Sequence, residues 1–184
     1  MISAYIGLGS NLLNPARQLG TALAALEQLR RSRLMEVSRL YRSAAIGPGS
    51  QPDYLNAVAR LDTDLAPPSL LAALQQIEQD QGRERRVRWG ARSLVMDILL
   101  YGNLRIDTPE LTIPHPSMRL RNFVLYPLAQ ITGPELRLPD GTDLGTLIAH
   151  CPVAGLVDTG LQPERADLVA QGHGTHGERR PDAG

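Results

Sequence analysis

Apolar positions along the chain fall into a short series of periods. Residues 2–8 are β-rich and predict a strand, and the small-residue cluster Gly7, Gly9, Ser10 and Asn11 reads as the turn that ends it. From Pro15 to about Arg31, Leu19, Leu23, Leu26 and Leu29 recur at intervals of three and four, which predicts an amphipathic helix with Asn14 as N-cap and Pro15 in its first position. Leu34–Tyr41 and Tyr54–Leu65 alternate apolar and polar side chains as half-buried strands do, and the Gly/Pro/Ser-rich segment between them predicts a long connection. Pro67 and Pro68 open a second helix, Ser69 to about Gln81, with Leu70, Leu71, Leu74 and Ile77 on one stripe and Gly82 as its end. Leu94–Tyr101 is an almost continuous apolar run of strand length, so it predicts a central strand.

The order βαββαβ predicts an α+β fold, a ferredoxin-like two-layer sandwich of four antiparallel strands with two helices on one face. Extra short C-terminal helices are expected over Asn122–Ile131 and Asp143–His150. From Asp158 the chain turns to Gly, Pro, Glu, Arg and Asp, which predicts a single domain over residues 1–157 and a disordered tail over 158–184. His173 and His176 lie in that tail, where convergent metal ligands are not expected.

Composition narrows the chemistry. A length of 184 residues suits one domain with a sizeable core. All 19 basic residues are arginine, against 19 acidic ones, and the absence of lysine excludes the P-loop lysine and any Schiff-base mechanism on a side-chain amine. Zero net charge and only 4% aromatic residues argue against a nucleic-acid partner. No segment has the length and apolarity of a membrane span or the pattern of a secretory leader. Cys151 is the single cysteine, too few for a disulfide or a cysteine zinc site, and fits a cytoplasmic location.

Three groups of residues carry candidate chemistry. Residues 83–92 hold five arginines and one glutamate, a local charge of +4 in a neutral chain. Such a loop suits a triphosphate, because guanidinium groups bind phosphate oxygens bidentately; a solvated basic loop, or a nucleic-acid patch with Trp89 stacking on a base, are the other readings. Asp97 is flanked by apolar residues, and a buried carboxylate needs a cation, either an arginine or a metal. On a strand, Val95, Asp97 and Leu99 share a face, so that face carries one carboxylate. Tyr54, Asn56 and Phe123 are each ordinary core residues, or together a slot for a flat heterocycle read by an amide edge. His115, between Pro114 and Pro116, either binds a phosphate or caps a turn.

The blocks AYIGLGSN, QPDYLNAV, IEQDQGRERRVRWGARSLVMDILLYG and LTIPHPSMRLRNFVLYPL, collinear over about residues 1–150, resemble the 6-hydroxymethyl-7,8-dihydropterin pyrophosphokinase family. That resemblance implies a ferredoxin-like fold and transfer of the pyrophosphoryl group of ATP to the pterin hydroxymethyl oxygen, with release of AMP and two Mg2+ ions. It implies that Tyr54 and Phe123 sandwich the pterin, that Asn56 reads its amide edge, and that Ser43, Ala45, Ile46 and Trp89 complete that pocket. It implies that Glu78, Arg85, Thr112, His115 and Arg121 hold ATP, that Arg83 and Arg92 assist transfer, and that Asp97 binds metal. A cytoplasmic monomer acting on small molecules, with no membrane partner, is expected.

One departure stands out. The family pattern has Asp-x-Asp on the central strand, and Val95 occupies the first of those positions. Ala91 stands where Pro is favoured, and Ser43-Ala44-Ala45 where a Thr-x-Pro-like segment is usual. An active pyrophosphokinase of folate synthesis, with Val95 as its point of weakness, is the first expectation, and a non-catalytic relative that binds pterin or ATP the second.

Overall fold

The structure is a computed structural model, and it describes residues 1–12, 14–45, 49–83 and 94–165. The segments that form the first six elements are β1 (Ile2–Ser10), α1 (Pro15–Glu27), β2 (Ser32–Val37), β3 (Tyr41–Ser43), β4 (Tyr54–Thr63) and α2 (Pro67–Arg83). They are followed by β5 (Val95–Tyr101), β6 (Ile106–Asp107), β7 (Thr112–Ile113), a 3-10 turn at Met118–Leu120, α3 (Asn122–Thr132), α4 (Leu144–Ala149) and β8 (Leu156–Asp158). The main sheet runs β5-β1-β4-β3-β8, with β2 also pairing with β4, and all its pairings are antiparallel. A mixed α+β domain on an antiparallel sheet is therefore what the alternating pattern encoded.

Alternation divides the sheet into two faces. Ile6, Leu8, Ala57, Ala59, Met96 and Ile98 point to one side, where Leu19, Leu23 and Leu26 of α1 and Leu70 and Leu74 of α2 cover them. Val58 and Leu99 point to the other side, against Val124, Leu125 and Leu128 of α3 and Leu144 of α4. α3 covers only part of this second face. The uncovered part, toward Gly9 and Val95, is where the cavity lies.

Several element boundaries differ from expectation for local reasons. α1 ends at Glu27 rather than near Arg31, because Arg31 adopts φ 56° and turns the chain back into β2. α2 runs past Gly82 to Arg83, and Gln81 beside it is tied to α1 through Gln18 O at 3.0 Å and Gln18 Oε1 at 2.9 Å. The expected strand Leu34–Tyr41 is two strands, β2 ending at Val37 and β3 starting at Tyr41; between them Ser38 N donates to Val58 O at 2.9 Å while the Ser38 Oγ, in place of its carbonyl, accepts from Val58 N at 2.9 Å. Gly7 and Gly9 are not a turn: both sit inside β1, paired with β4 on one side and β5 on the other.

The boundary expected at residue 157 coincides with β8 (Leu156–Asp158). Asp158 closes that strand, Thr159 and Leu161 go on bonding to Leu40, and the described chain continues to Arg165. The rest of the expected tail, including His173 and His176, lies outside the described residues. Among the described residues no helix is long and apolar enough to cross a membrane.

Candidate active site

β1 makes the floor of the site by omitting side chains. Gly9 lies opposite Asn56 on β4 and opposite Val95 on β5, and Gly7 lies opposite Asp97. A Cβ on Gly9 would stand 3.3 Å from Asn56 Oδ1, and one on Gly7 would stand 3.3 Å from Leu99 Cδ2. The two glycines thus leave a trough across three strands, a cavity of about 300 Å³. Tyr54, Asn56 and Ser43 wall it on the β4–β3 side, Val95, Asp97 and Leu99 on the β5 side, and Phe123 and Arg121 from the start of α3.

Asn56 is 4% exposed and held firmly. Its Nδ2 donates to Tyr41 O at 3.2 Å and to Ser43 Oγ at 2.8 Å. With the nitrogen engaged, Oδ1 is left as an acceptor on the Gly9 side. The Arg121 guanidinium lies over the Phe123 ring, 5.6 Å from its centroid, which fixes the arginine against the aromatic wall and adds a positive charge there.

The opposite wall is more open. The Asp97 side chain is 39% exposed, and His115 Nε2 stands 3.8 Å from its Oδ2, beyond hydrogen-bond reach. His115 N donates to Leu99 O at 2.9 Å, which ties the histidine segment to β5. Ser117 N donates to His115 Nδ1 at 3.2 Å, so the neutral ring carries its proton on Nε2, facing the carboxylate. Burial pushes the imidazole below its ordinary pKa of 6.5, opposed by Asp97 and reinforced by Arg121. At neutral pH His115 is therefore a neutral Nε2–H donor.

The structure thus brings together Tyr54, Asn56, Ser43, Asp97, Arg121 and Phe123 on one cavity, with Val95 among them. Ala44 lines the cavity, whereas Ala45, one residue on, stands outside its wall. Glu78 accepts from Met96 N at 2.8 Å at the head of β5, and Thr112 lies in β7, both off the cavity wall. Ile46, Arg85, Trp89 and Arg92 lie outside the described residues, and Arg83 marks the end of α2. Sequence reasoning missed Gly7 and Gly9 as parts of the site. The available signal was their i, i+2 spacing, which strips one strand face of side chains while Ile6, Leu8 and Ser10 stay buried on the other.

Fold and cavity together define an α+β domain whose cavity gathers two aromatic side chains, an amide, a carboxylate and a guanidinium, with the His115 imidazole 3.8 Å from the carboxylate and off the cavity wall. Residues 5–133 match the model of the 7,8-dihydro-6-hydroxymethylpterin-pyrophosphokinase (HPPK) family, and the chain belongs to that family. It is 53% identical over 152 residues to the 2-amino-4-hydroxy-6-hydroxymethyldihydropteridine pyrophosphokinase of Pseudomonas aeruginosa, covering 83% of this chain and 93% of that one. To the enzyme of the same name from Haemophilus influenzae it is 50% identical over 148 residues, covering 80% of this chain and 92% of the relative. Among solved structures it resembles the wild-type Plasmodium falciparum HPPK-DHPS with pterin and p-hydroxybenzoate, with a TM-score of 0.62 and 14% identity. That likeness covers 80% of this chain and 42% of the other, and concerns the fold alone.

Proposed function

We infer that the chain transfers the pyrophosphoryl group of ATP to 6-hydroxymethyl-7,8-dihydropterin, giving the pterin diphosphate and AMP for folate synthesis. What carries the reading is the meeting of Tyr54, Asn56, Phe123, Asp97 and Arg121 on one cavity in a chain of this family. The strand order, with β5 and β1 followed by β4 and then the β2/β3 pair, supports a ferredoxin-like arrangement of the βαββαβ core. A cytoplasmic monomer is the form proposed. The non-catalytic alternative gains no support from relatives named as pyrophosphokinases.

In this reading the pterin ring lies between Tyr54 and Phe123, and Asn56 Oδ1 accepts from its N–H edge. Ser43 acts mainly through Asn56, and Ala45, Ile46 and Trp89 complete the pocket. Arg121 and the His115 Nε2–H face phosphate oxygens, with Glu78, Arg85 and Thr112 on the rest of ATP. The hydroxymethyl oxygen attacks the β-phosphorus, the bond from that phosphorus to the oxygen it shares with the α-phosphorus breaks, and AMP leaves with that oxygen. Arg83 and Arg92 offset the charge that builds up during transfer.

Asp97 fits as a ligand for one magnesium ion, which typically takes one or two carboxylates and completes its shell with phosphate oxygens and water. The described residues do not fit a carboxylate-bridged pair of ions. No group of three or more His, Cys, Asp or Glu side chains gathers among them. Val95 stands on the face where a second carboxylate is needed, and His115 presents a proton rather than a lone pair. Bound magnesium would supply charge neutralisation on the phosphates, and among the described residues Asp97 is the carboxylate that would hold it.

The test is product analysis with ATP, the pterin and magnesium. AMP and pterin diphosphate should form in equal amounts, and only when the pterin is present. ADP in place of AMP, or AMP release independent of the pterin, would overturn the assignment.

A further inference from the structure

The strand that orients Asn56 is held from outside by the far end of the described chain. β3 is three residues long and pairs with β4 on one side, Tyr41 opposite Asn56 and Ser43 opposite Tyr54. On its other side lies β8, with Asp158 opposite Tyr41 and Leu156 opposite Ser43. The pairing continues beyond the strands: Leu40 N donates to Leu161 O at 2.8 Å, and Thr159 Oγ1 donates to Leu40 O at 2.7 Å. Arg39 closes the arrangement as a fork, Nη2 donating to Asp158 Oδ2 at 2.8 Å and Nε to the two carboxylate oxygens at 3.0 and 3.1 Å. α3 braces the same segment, as Gln130 Oε1 accepts from Arg39 N at 2.9 Å and from the Tyr41 hydroxyl at 3.0 Å.

Asn56 depends on β3 twice, because both acceptors of its Nδ2 protons, Tyr41 O and Ser43 Oγ, belong to that strand. Turning the amide over would set Oδ1 against the Tyr41 carbonyl, two acceptors facing each other, so the observed orientation is the favoured one. It holds only while β3 keeps its register. We propose that Arg39 and Asp158 are positioning residues for heterocycle recognition: by strapping residues 156–161 along β3, they keep the Asn56 acceptor turned into the cavity.

The ligand named rests on the functional reading above; the strap and its link to Asn56 do not. The ion pair is partly exposed, 37% and 39% for its two side chains, and such pairs add little to folding stability, so single substitutions leave the fold in place. The experiment measures binding of 6-hydroxymethyl-7,8-dihydropterin to the full chain by titration calorimetry, with ATP affinity and Tm followed in parallel. Arg39→Ala and Asp158→Ala should each weaken pterin binding about 3- to 10-fold, the worth of one well-oriented hydrogen bond, with ATP binding unchanged. The exchange Arg39→Asp with Asp158→Arg should recover most of the loss. Unchanged pterin affinity in both single variants, with Asn56→Ala impaired, overturns the positioning role alone. So does an equal loss of pterin and ATP binding that follows a fall in Tm. A wild type that binds no pterin overturns the functional reading and the positioning role together.

Discussion

On the β3–β4 side of the cavity, Asn56 is 4% exposed and its amide nitrogen already has two partners; on the β5 side, Asp97 is 39% exposed, with His115 Nε2 standing 3.8 Å from its carboxylate. One wall has its hydrogen bonds made within the protein, and the other leaves its carboxylate open. Preorganised donors and acceptors cost nothing to arrange at the moment of binding, so the Asn56 wall should deliver its affinity to the heterocycle in full. Among the described residues the cavity lining holds one carboxylate, Asp97, which on the proposed function is what this wall offers toward a metal-bound triphosphate. On the proposed function, that difference puts heterocycle binding on the first wall and the limit on rate on the second.

That division breaks most sharply at Asp97. Asp97→Asn removes the one carboxylate on the β5 face, and transfer should fall by at least about 100-fold, since losing even an outer partner of a metal ligand costs about 10–100-fold. Pterin binding without ATP should hardly change, and calorimetry beside AMP release checks both. Gly9→Val attacks the other wall. Its Cβ would stand 3.3 Å from Asn56 Oδ1, and the extended backbone of β1 accepts a β-branched residue, so the damage falls on the cavity rather than the fold. Overpacking of about 1–3 kcal/mol should weaken pterin binding roughly 5- to 150-fold, read from the dissociation constant with Tm as control. Equal effects of Asp97→Asn and Gly9→Val on both substrates would merge the two walls into one.

How legible this was depended on the range of the interactions. Helices α1 and α2 and strands β1, β4 and β5 follow from local periodicity, because Leu19, Leu23 and Leu26, or Val95, Asp97 and Leu99, announce a face within a few residues. The short strands were not legible. β3 and β8 have three residues each and pair with each other across more than a hundred positions, so no local period announces either one. Candidate site residues were found by type, yet not their joints. Neither the grip of Tyr41 and Ser43 on Asn56 nor the proton position on His115 set by Ser117 is written in spacing. The stack of Arg121 on Phe123 joins a residue expected on ATP to one expected on the pterin, which two positions of separation alone did not reveal.

The central claim is that, on the proposed function, the Asn56 wall is complete for the heterocycle while the described part of the Asp97 wall offers a metal one carboxylate, and a single substitution tests it. Steady-state AMP release at saturating ATP, pterin and magnesium is compared between the wild type and Val95→Asp. The account predicts that kcat rises by about 10-fold or more in Val95→Asp, with the pterin KM within about 2-fold of its wild-type value. An unchanged or lower kcat in Val95→Asp would contradict it.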